Sequence, residues 1–351
     1  MHVRISADRP FKEGRNLLIR GTNWIGDAVM TLPAISAIRR TFPRARITIL
    51  AKPWVAELFH LCPDVDEIML FQSPGVHDGV PGKWRLAREL RKKNFDTAIL
   101  LQNAIEAAII ARLAGISVRA GYDSDARGPL LTHSVRRTRA VREVHQTGYY
   151  LEMVKALGCS TSGADIHLKP GRETEVLAES LMKRFGLEKD RPLVGMAPGA
   201  AYGPAKKWFP ERFSAVSDRL MDAFPVQTIL FGSAGDRDST AAVRQYAKLP
   251  LHDLAGQTSL KEAMALMSRC RLFVSNDSGL MHVAAALGVP TIAIFGSTNT
   301  VTTAPVGRRV VIIHKPVSCS PCLKQTCPTD FRCMDMIGVD DVCDAAKGLL
   351  E

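Results

Sequence analysis

The sequence predicts an α/β protein built from two Rossmann-like, doubly wound parallel sheets. Two observations carry this. Short apolar runs that end in Gly, Asn or Asp and lead into a helix-period segment recur in both halves. The 351 residues also exceed the usual size of one domain, while either half is long enough to bury its own core. The first unit is expected over residues 1–170 and the second over 171–351, divided near the polar, glycine-containing stretch Gly158–Gly171.

Leu17–Gly21 reads as the first buried strand, followed after a short loop by an apolar-striped helix from about Ala28 to Arg40. Ile47–Ala51 and Thr97–Leu101 read as further strands, the latter leading into a helix over Ala104–Ala114. In the second half the strands are Leu193–Ala197, Gln227–Gly232, Leu272–Ser275 and Thr291–Phe295. Their near-continuous apolar character suits parallel strands covered on both faces. The last helix is a candidate to pack back on the first half. In two such sheets facing a cleft, loops at the carboxyl ends of the strands hold the ligands, so chemistry is sought there.

Several classes are excluded early. No Gly-x-x-x-x-Gly-Lys-Ser/Thr occurs and no Gly-x-Gly-x-x-Gly follows a strand, which counts against P-loop nucleotide hydrolysis and conventional dinucleotide binding. The polar segment Met1–Asn16 has no apolar core of a secretory signal, so a cytoplasmic protein is expected. No run approaches the ~18 apolar residues of a spanning helix, which leaves peripheral contact as the expected mode of membrane association. The net charge of +11 is uneven: residues 1–170 hold 25 Lys/Arg against 16 Asp/Glu, and the remainder 21 against 19. A basic first half favours an anionic partner such as a phosphorylated glycolipid or a membrane surface. Nucleic acid is not expected, since no recognised module appears and only 6% of residues are aromatic.

Four loops have the residue types for chemistry. Thr22-Asn23-Trp24-Ile25-Gly26-Asp27 follows the first strand, and Asp27 either accepts a proton from a nucleophilic hydroxyl or caps the helix. Pro198 to Trp208 is rich in small residues and carries Lys206 and Lys207; a lysine there can pair with a diphosphate leaving group or simply be solvated. Phe231 to Asp238 ends a strand, and Asp236 is the better candidate for a ribose contact, with helix capping as the rival. Asn276-Asp277-Ser278-Gly279-Leu280-Met281-His282 is a strand end, a tight turn and a helix start, so its amides make an anion site. Asp277 is expected to orient that turn, and His282 to face the ligand or to be a satisfied core histidine.

Of eight cysteines, Cys319, Cys322, Cys327 and Cys333 form a Cys-x2-Cys-x4-Cys-x5-Cys run, a candidate structural metal site in competition with free thiols. Cys62, Cys159, Cys270 and Cys343 are isolated and read as packing residues.

Taken together, Asn23 to Met30, Gly203-Pro204-Ala205-Lys206-Lys207-Trp208, Asn276 to His282 and Cys319-Ser320-Pro321-Cys322 resemble the bacterial ADP-heptose:lipopolysaccharide heptosyltransferases of glycosyltransferase family 9, in particular those that add the second heptose. The resemblance spans about residues 16–350. It implies a GT-B fold, an ADP-heptose donor, a lipopolysaccharide inner-core acceptor already bearing Kdo and one heptose, inversion at the anomeric carbon, and no required cofactor. It further implies work at the cytoplasmic face of the inner membrane. By the same likeness Asp27 is the general base and Lys206 lies beside the donor phosphates, with Asp277, Ser278, Gly279 and His282 forming the nucleotide-sugar loop. Asp236 matches an acidic ribose contact. Asn23, Trp24, Asp123 and Arg127 fall on the presumed acceptor side. The chain departs from the family pattern in its extra N-terminal residues and in the second lysine, Lys207. A transferase using another nucleotide sugar, or the first-heptose reaction, is the alternative within the same class, and a basic nucleic-acid binder with a cysteine metal element is the alternative outside it.

Overall fold

The computed structural model describes residues 3–5, 11, 14–166 and 168–351. Much of the polar N-terminal segment therefore lies outside the described residues. The chain divides into two compact units, Met1–Ile166 and His167–Glu351.

The first unit contains β1 (Val3–Ile5), β2 (Asn16–Arg20), β3 (Arg46–Ala51), β4 (Glu67–Leu70), β5 (Thr97–Leu100), β6 (Val118–Tyr122) and β7 (His133–Val135). They form one sheet in the order β1-β7-β6-β5-β2-β3-β4. All neighbours are parallel except β1, which runs antiparallel to β7. The central strands are apolar on both faces because helices cover both; Leu17, Ile19, Ile47, Ile49 and Ile99 are fully buried. Helix Ile25–Thr41 is buried without interruption from Ala28 to Ile38, and Arg39 and Arg40 in its last turn complement the helix dipole.

The second unit contains β8 (Leu193–Ala197), β9 (Gln227–Leu230), β10 (His252–Asp253), β11 (Cys270–Asn276), β12 (Thr291–Phe295) and β13 (Val310–His314). They form a fully parallel sheet in the order β10-β9-β8-β11-β12-β13. Apart from β1, each sheet thus has the strand order 3-2-1-4-5-6 of a dinucleotide-binding fold, and the order reverses between β2 and β5 and between β8 and β11. Loops leaving those strands open the crevice where such sheets bind ligands.

The last helix, Val339–Leu350, contributes to the core of its own unit. Val342, Cys343 and Ala346 are buried in the core of the second unit with Phe213, Leu272 and Ile292.

Candidate functional site

In the second unit the crevice is organised by one buried asparagine. Asn276, at the end of β11, donates from Nδ2 to the Pro198 carbonyl (2.7 Å) and accepts from the Trp208 amide through Oδ1 (3.0 Å). It thereby holds both ends of the loop that follows β8. Trp208 is buried, donates its indole N–H to the Ile337 carbonyl (3.1 Å) and meets Phe213 edge-on. With Trp208 fixed, the short turn Pro204–Lys206 delivers Lys206 into the crevice.

There Lys206 Nζ lies 2.6 Å from Asp277 Oδ2, with the two side chains 15% and 5% exposed. The Thr298 hydroxyl donates to the same oxygen at 2.5 Å, and the Lys206 ammonium sits 5.0 Å from the centre of the Tyr202 ring. The adjacent lysine points elsewhere: Lys207 Nζ donates to Ser239 Oγ at 2.9 Å. Geometry therefore separates the two lysines, of which Lys206 is the one the sequence favours. Beside the pair, helix Gly279–Ala286 begins at Ser278, whose side chain caps nothing and instead meets Ser275 Oγ at 3.1 Å. First-turn amides of a helix lack intrahelical partners, so a cation and an array of amide dipoles share this crevice.

Two further residues of the expected donor set have defined surroundings. Asp236 Oδ2 accepts from the Ser233 amide and hydroxyl (2.9 and 2.7 Å) and so closes a capping box, which leaves Oδ1 lying over Gly199; a Cβ on Gly199 would fall 2.0 Å from that oxygen. His282 is buried on helix Gly279–Ala286, as Asp277 is at the strand end before it.

Cys319, Cys322, Cys327 and Cys333 line one cavity of about 70 Å³ and all are free thiols. Among the described residues no group of three or more His, Cys, Asp or Glu side chains converges closely enough to hold a metal ion. Hydrogen bonds hold this loop: Ser320 Oγ donates to the Gly296 carbonyl (2.6 Å) and the Leu323 amide to the Ser297 carbonyl (2.8 Å). The Tyr202 hydroxyl donates to the Leu323 carbonyl (2.7 Å) and the Ala205 amide to the Gln325 carbonyl (2.9 Å), so the segment braces the Lys206 turn. Gly203 is required there. Its φ is +152°, and a Cβ would meet the Gln325 carbonyl oxygen at 2.4 Å.

In the first unit the loop after β2 carries Asp27. Trp24, not Asp27, occupies the cap of helix Ile25–Thr41, and Asp27 sits in its first turn, where unpaired amides favour negative charge. The charge of Asp27 is felt by Tyr150, on helix Gln146–Ala156; burial first, then Asp27, raises that phenol well above its ordinary range. Asn23 Oδ1 accepts from Arg20 (2.8 Å), its carbonyl accepts from the Trp54 indole (2.9 Å), and Trp24 is largely exposed.

Two expected acceptor residues take part in structural hydrogen bonds. Arg127 is fully buried and donates to the carbonyls of Tyr122 (2.8 Å), Leu100 (3.3 Å) and Gln102. Such a guanidinium satisfies strand ends and is not open to a ligand, which corrects the expectation. Asp123 is exposed, but its Oδ1 accepts the Arg137 amide at 2.8 Å. Thr298, Tyr202 and Asn276 were not singled out from sequence, although Asn276 lies inside the quoted motif. Arg20 and Lys52 were missed as well; the available signal was a charged residue directly ending an apolar strand in Leu17-Leu18-Ile19-Arg20 and Ile49-Leu50-Ala51-Lys52.

Residues 83–331 match glycosyltransferase family 9 (heptosyltransferase). Lipopolysaccharide heptosyltransferase 2 of Escherichia coli K12 is 30% identical over 308 residues, covering 85% of this chain and 87% of that protein. The chain belongs to glycosyltransferase family 9. The Salmonella typhimurium lipopolysaccharide heptosyltransferase 2 is 31% identical with the same coverage. Among solved structures, E. coli ADP-heptose LPS heptosyltransferase II superposes with a TM-score of 0.80 at 25% identity, covering 95% of this chain and 98% of that one. The family 9 glycosyltransferase of Veillonella parvula superposes with a TM-score of 0.85 at 24% identity, covering 98% and 99%. This glycosyltransferase accordingly has the GT-B fold, two Rossmann-type units in one chain. No described helix is long and apolar enough to cross a membrane.

Proposed function

We propose that the chain is an inverting transferase that moves L-glycero-D-manno-heptose from ADP-heptose to a heptosyl-Kdo2-lipid A acceptor, at the cytoplasmic face of the inner membrane. The observation that carries this reading is the pairing of Lys206 with Asp277 beside the open N-terminus of helix Gly279–Ala286. A departing nucleoside diphosphate gains negative charge as its bond to the sugar breaks, and a fixed cation with aligned amides is stabilising at that point. Lys206 has the role of meeting the diphosphate, Asp277 and Thr298 that of orienting Lys206, and Asp236 Oδ1 that of a ribose contact. In the first unit Asp27 takes the proton of the acceptor hydroxyl as its oxygen attacks the anomeric carbon. The carbon–oxygen bond to the diphosphate breaks as the new bond forms, and ADP leaves with the electron pair. No covalent enzyme intermediate and no metal enters this scheme.

The naming of relatives as heptosyltransferase 2 supports the second-heptose assignment. It is tested by giving the purified protein ADP-heptose with acceptors carrying zero or one heptose and reading the mass of the glycolipid. One added heptose on the monoheptosylated acceptor only is the expected result. Transfer to the heptose-free acceptor, or from a UDP-sugar in preference to ADP-heptose, would overturn it.

A further inference from the structure

Arg20 and Lys52 end the adjacent parallel strands β2 and β3, and both are more than nine-tenths buried. They converge on one ring: the Lys52 ammonium lies 4.0 Å from the centre of Phe71 and the Arg20 guanidinium 5.1 Å from it. Every hydrogen-bond acceptor recorded for them is neutral. Arg20 donates to the carbonyls of Gly21 (2.5 Å) and Leu50 (3.3 Å) and to Asn23 Oδ1 (2.8 Å), while Lys52 donates to the Ser73 carbonyl (2.5 Å). Among the described residues neither makes an ion pair. The carboxylates whose charge reaches them make their own closer contacts, Glu106 with Lys83 at 3.6 Å and Asp78 with the Gly75 amide at 2.8 Å.

Two buried like charges that form no ion pair among the described residues oppose folding, because each loses hydration and each repels the other. Burial lowers Arg20 to about 10 against the raising effect of Glu106, and burial followed by Arg20 itself lowers Lys52 against those of Glu106 and Asp78. An anionic ligand would relieve both charges at once. The surroundings suit a sugar acid: the exposed Trp54 ring lies 5.7 Å from the Lys52 ammonium, and Asn23, followed in the chain by the exposed Trp24, ties Arg20 and Trp54 to the loop that carries Asp27. Aromatic faces pack against apolar sugar faces while cations take the acidic group.

We propose that Arg20 and Lys52 form an anion subsite that receives the carboxylate or phosphate of an acidic sugar of the acceptor and so positions its hydroxyl at Asp27. This rests on the reading that the first unit holds the acceptor. The subsite selects acceptors by charge and takes no part in donor binding.

The test uses the full-length chain with Lys52→Met, Lys52→Gln, which keeps a donor for the Ser73 carbonyl without the charge, and Lys52→Arg, which keeps the charge. Expected for the first two is a rise in acceptor KM of about 10- to 100-fold with kcat and the KM for ADP-heptose unchanged, and substantial rescue by Lys52→Arg. Acceptors lacking either the carboxylate or the phosphate identify the group, because wild type and variants converge only on the acceptor without it. Thermal melting in saturating ADP supplies a readout free of turnover: inorganic phosphate should raise the Tm of wild type and leave Lys52→Met unmoved, while the ligand-free Tm of Lys52→Met should equal or exceed that of wild type. A lowered ligand-free Tm with unchanged acceptor KM would mean that Lys52 is only structural, and the proposal would fall. Should wild type transfer no heptose to any acceptor, the proposed function fails, while the phosphate-dependent melting still decides whether the subsite exists.

Discussion

Removing Lys206 should cost stability as well as turnover, and the size of that cost follows from its partner. In Lys206→Met the Asp277 carboxylate, 5% exposed, keeps only the Thr298 hydroxyl from the three-residue cluster. Breaking a buried ion pair on one side costs about 3–5 kcal/mol, and the 15% exposure of Lys206 argues for the lower end of that range. For a unit of this size about 3 kcal/mol corresponds to a drop in Tm of roughly 6–12 °C. Removing both charges in Lys206→Met/Asp277→Asn leaves no orphaned ion, so the double variant should be nearly as stable as wild type. A four-variant cycle followed by calorimetry or urea unfolding should therefore give a coupling of about 2 kcal/mol or more. Heptose transfer should stay depressed in the double variant, because the cation that meets the diphosphate is gone. If the single losses simply add, with a coupling below about 0.5 kcal/mol, the pair is not the organising contact of the crevice and the donor-site argument loses its anchor.

Asp27→Ala should lower kcat by about 10²- to 10⁴-fold while ADP-heptose binding, followed by calorimetric titration, stays at the wild-type value; equal turnover would remove Asp27 from the mechanism. Arg127→Met should destabilise the first unit by about 3 kcal/mol or more, because several buried carbonyls lose their donor, yet leave acceptor KM intact; a selective rise in KM would restore the acceptor role taken from it here. Among the cysteines, Cys327 should be alkylated first near neutral pH. Its thiol is lowered by the Thr329 hydroxyl, so thiolate forms at lower pH than normal, whereas burial pushes Cys62 and Cys270 up to about 12. Peptide mapping after brief iodoacetamide treatment checks the order, and early labelling of Cys270 would contradict the packing described.

How much of this was legible depended on whether a residue's role is local. Buried strands such as Leu193–Ala197 and Thr291–Phe295 announce themselves by continuous apolar character, and their observed bounds match the expected ones. Strands β4, β6 and β10 carry Glu67, Arg119 and His252–Asp253, and this polar content hides a short strand from a periodicity argument. Lys206, Asp277 and Ser278 were readable because the loop type at a strand end fixes their neighbourhood. Arg127 misled because a charged residue in a glycine-containing turn looks exposed until the carbonyls that surround it are known. Its partners at Leu100 and Gln102 come from another strand end, and no spacing within the Tyr122–Gly128 segment reveals them.

The same topology, used twice, yields two different electrostatic solutions. At the switch between β8 and β11 the second unit places a cation that is already neutralised by Asp277, next to helix amides that carry only partial charge. Such a site is stable when empty and can still answer the charge that develops on a leaving diphosphate. Where β2 and β3 end, the first unit instead buries two full cations that form no ion pair among the described residues. That arrangement is costly when empty, so it stores a preference for an anion that is present in the bound ground state. A transferase needs both. The donor site must respond most strongly in the transition state, whereas the acceptor site must hold its ligand before any bond changes. Exchanging the two devices would therefore spoil the reaction from both ends: an unpaired cation pair at the diphosphate would retain ADP, and a neutralised lysine at the acceptor would bind it too weakly to hold the nucleophile in line.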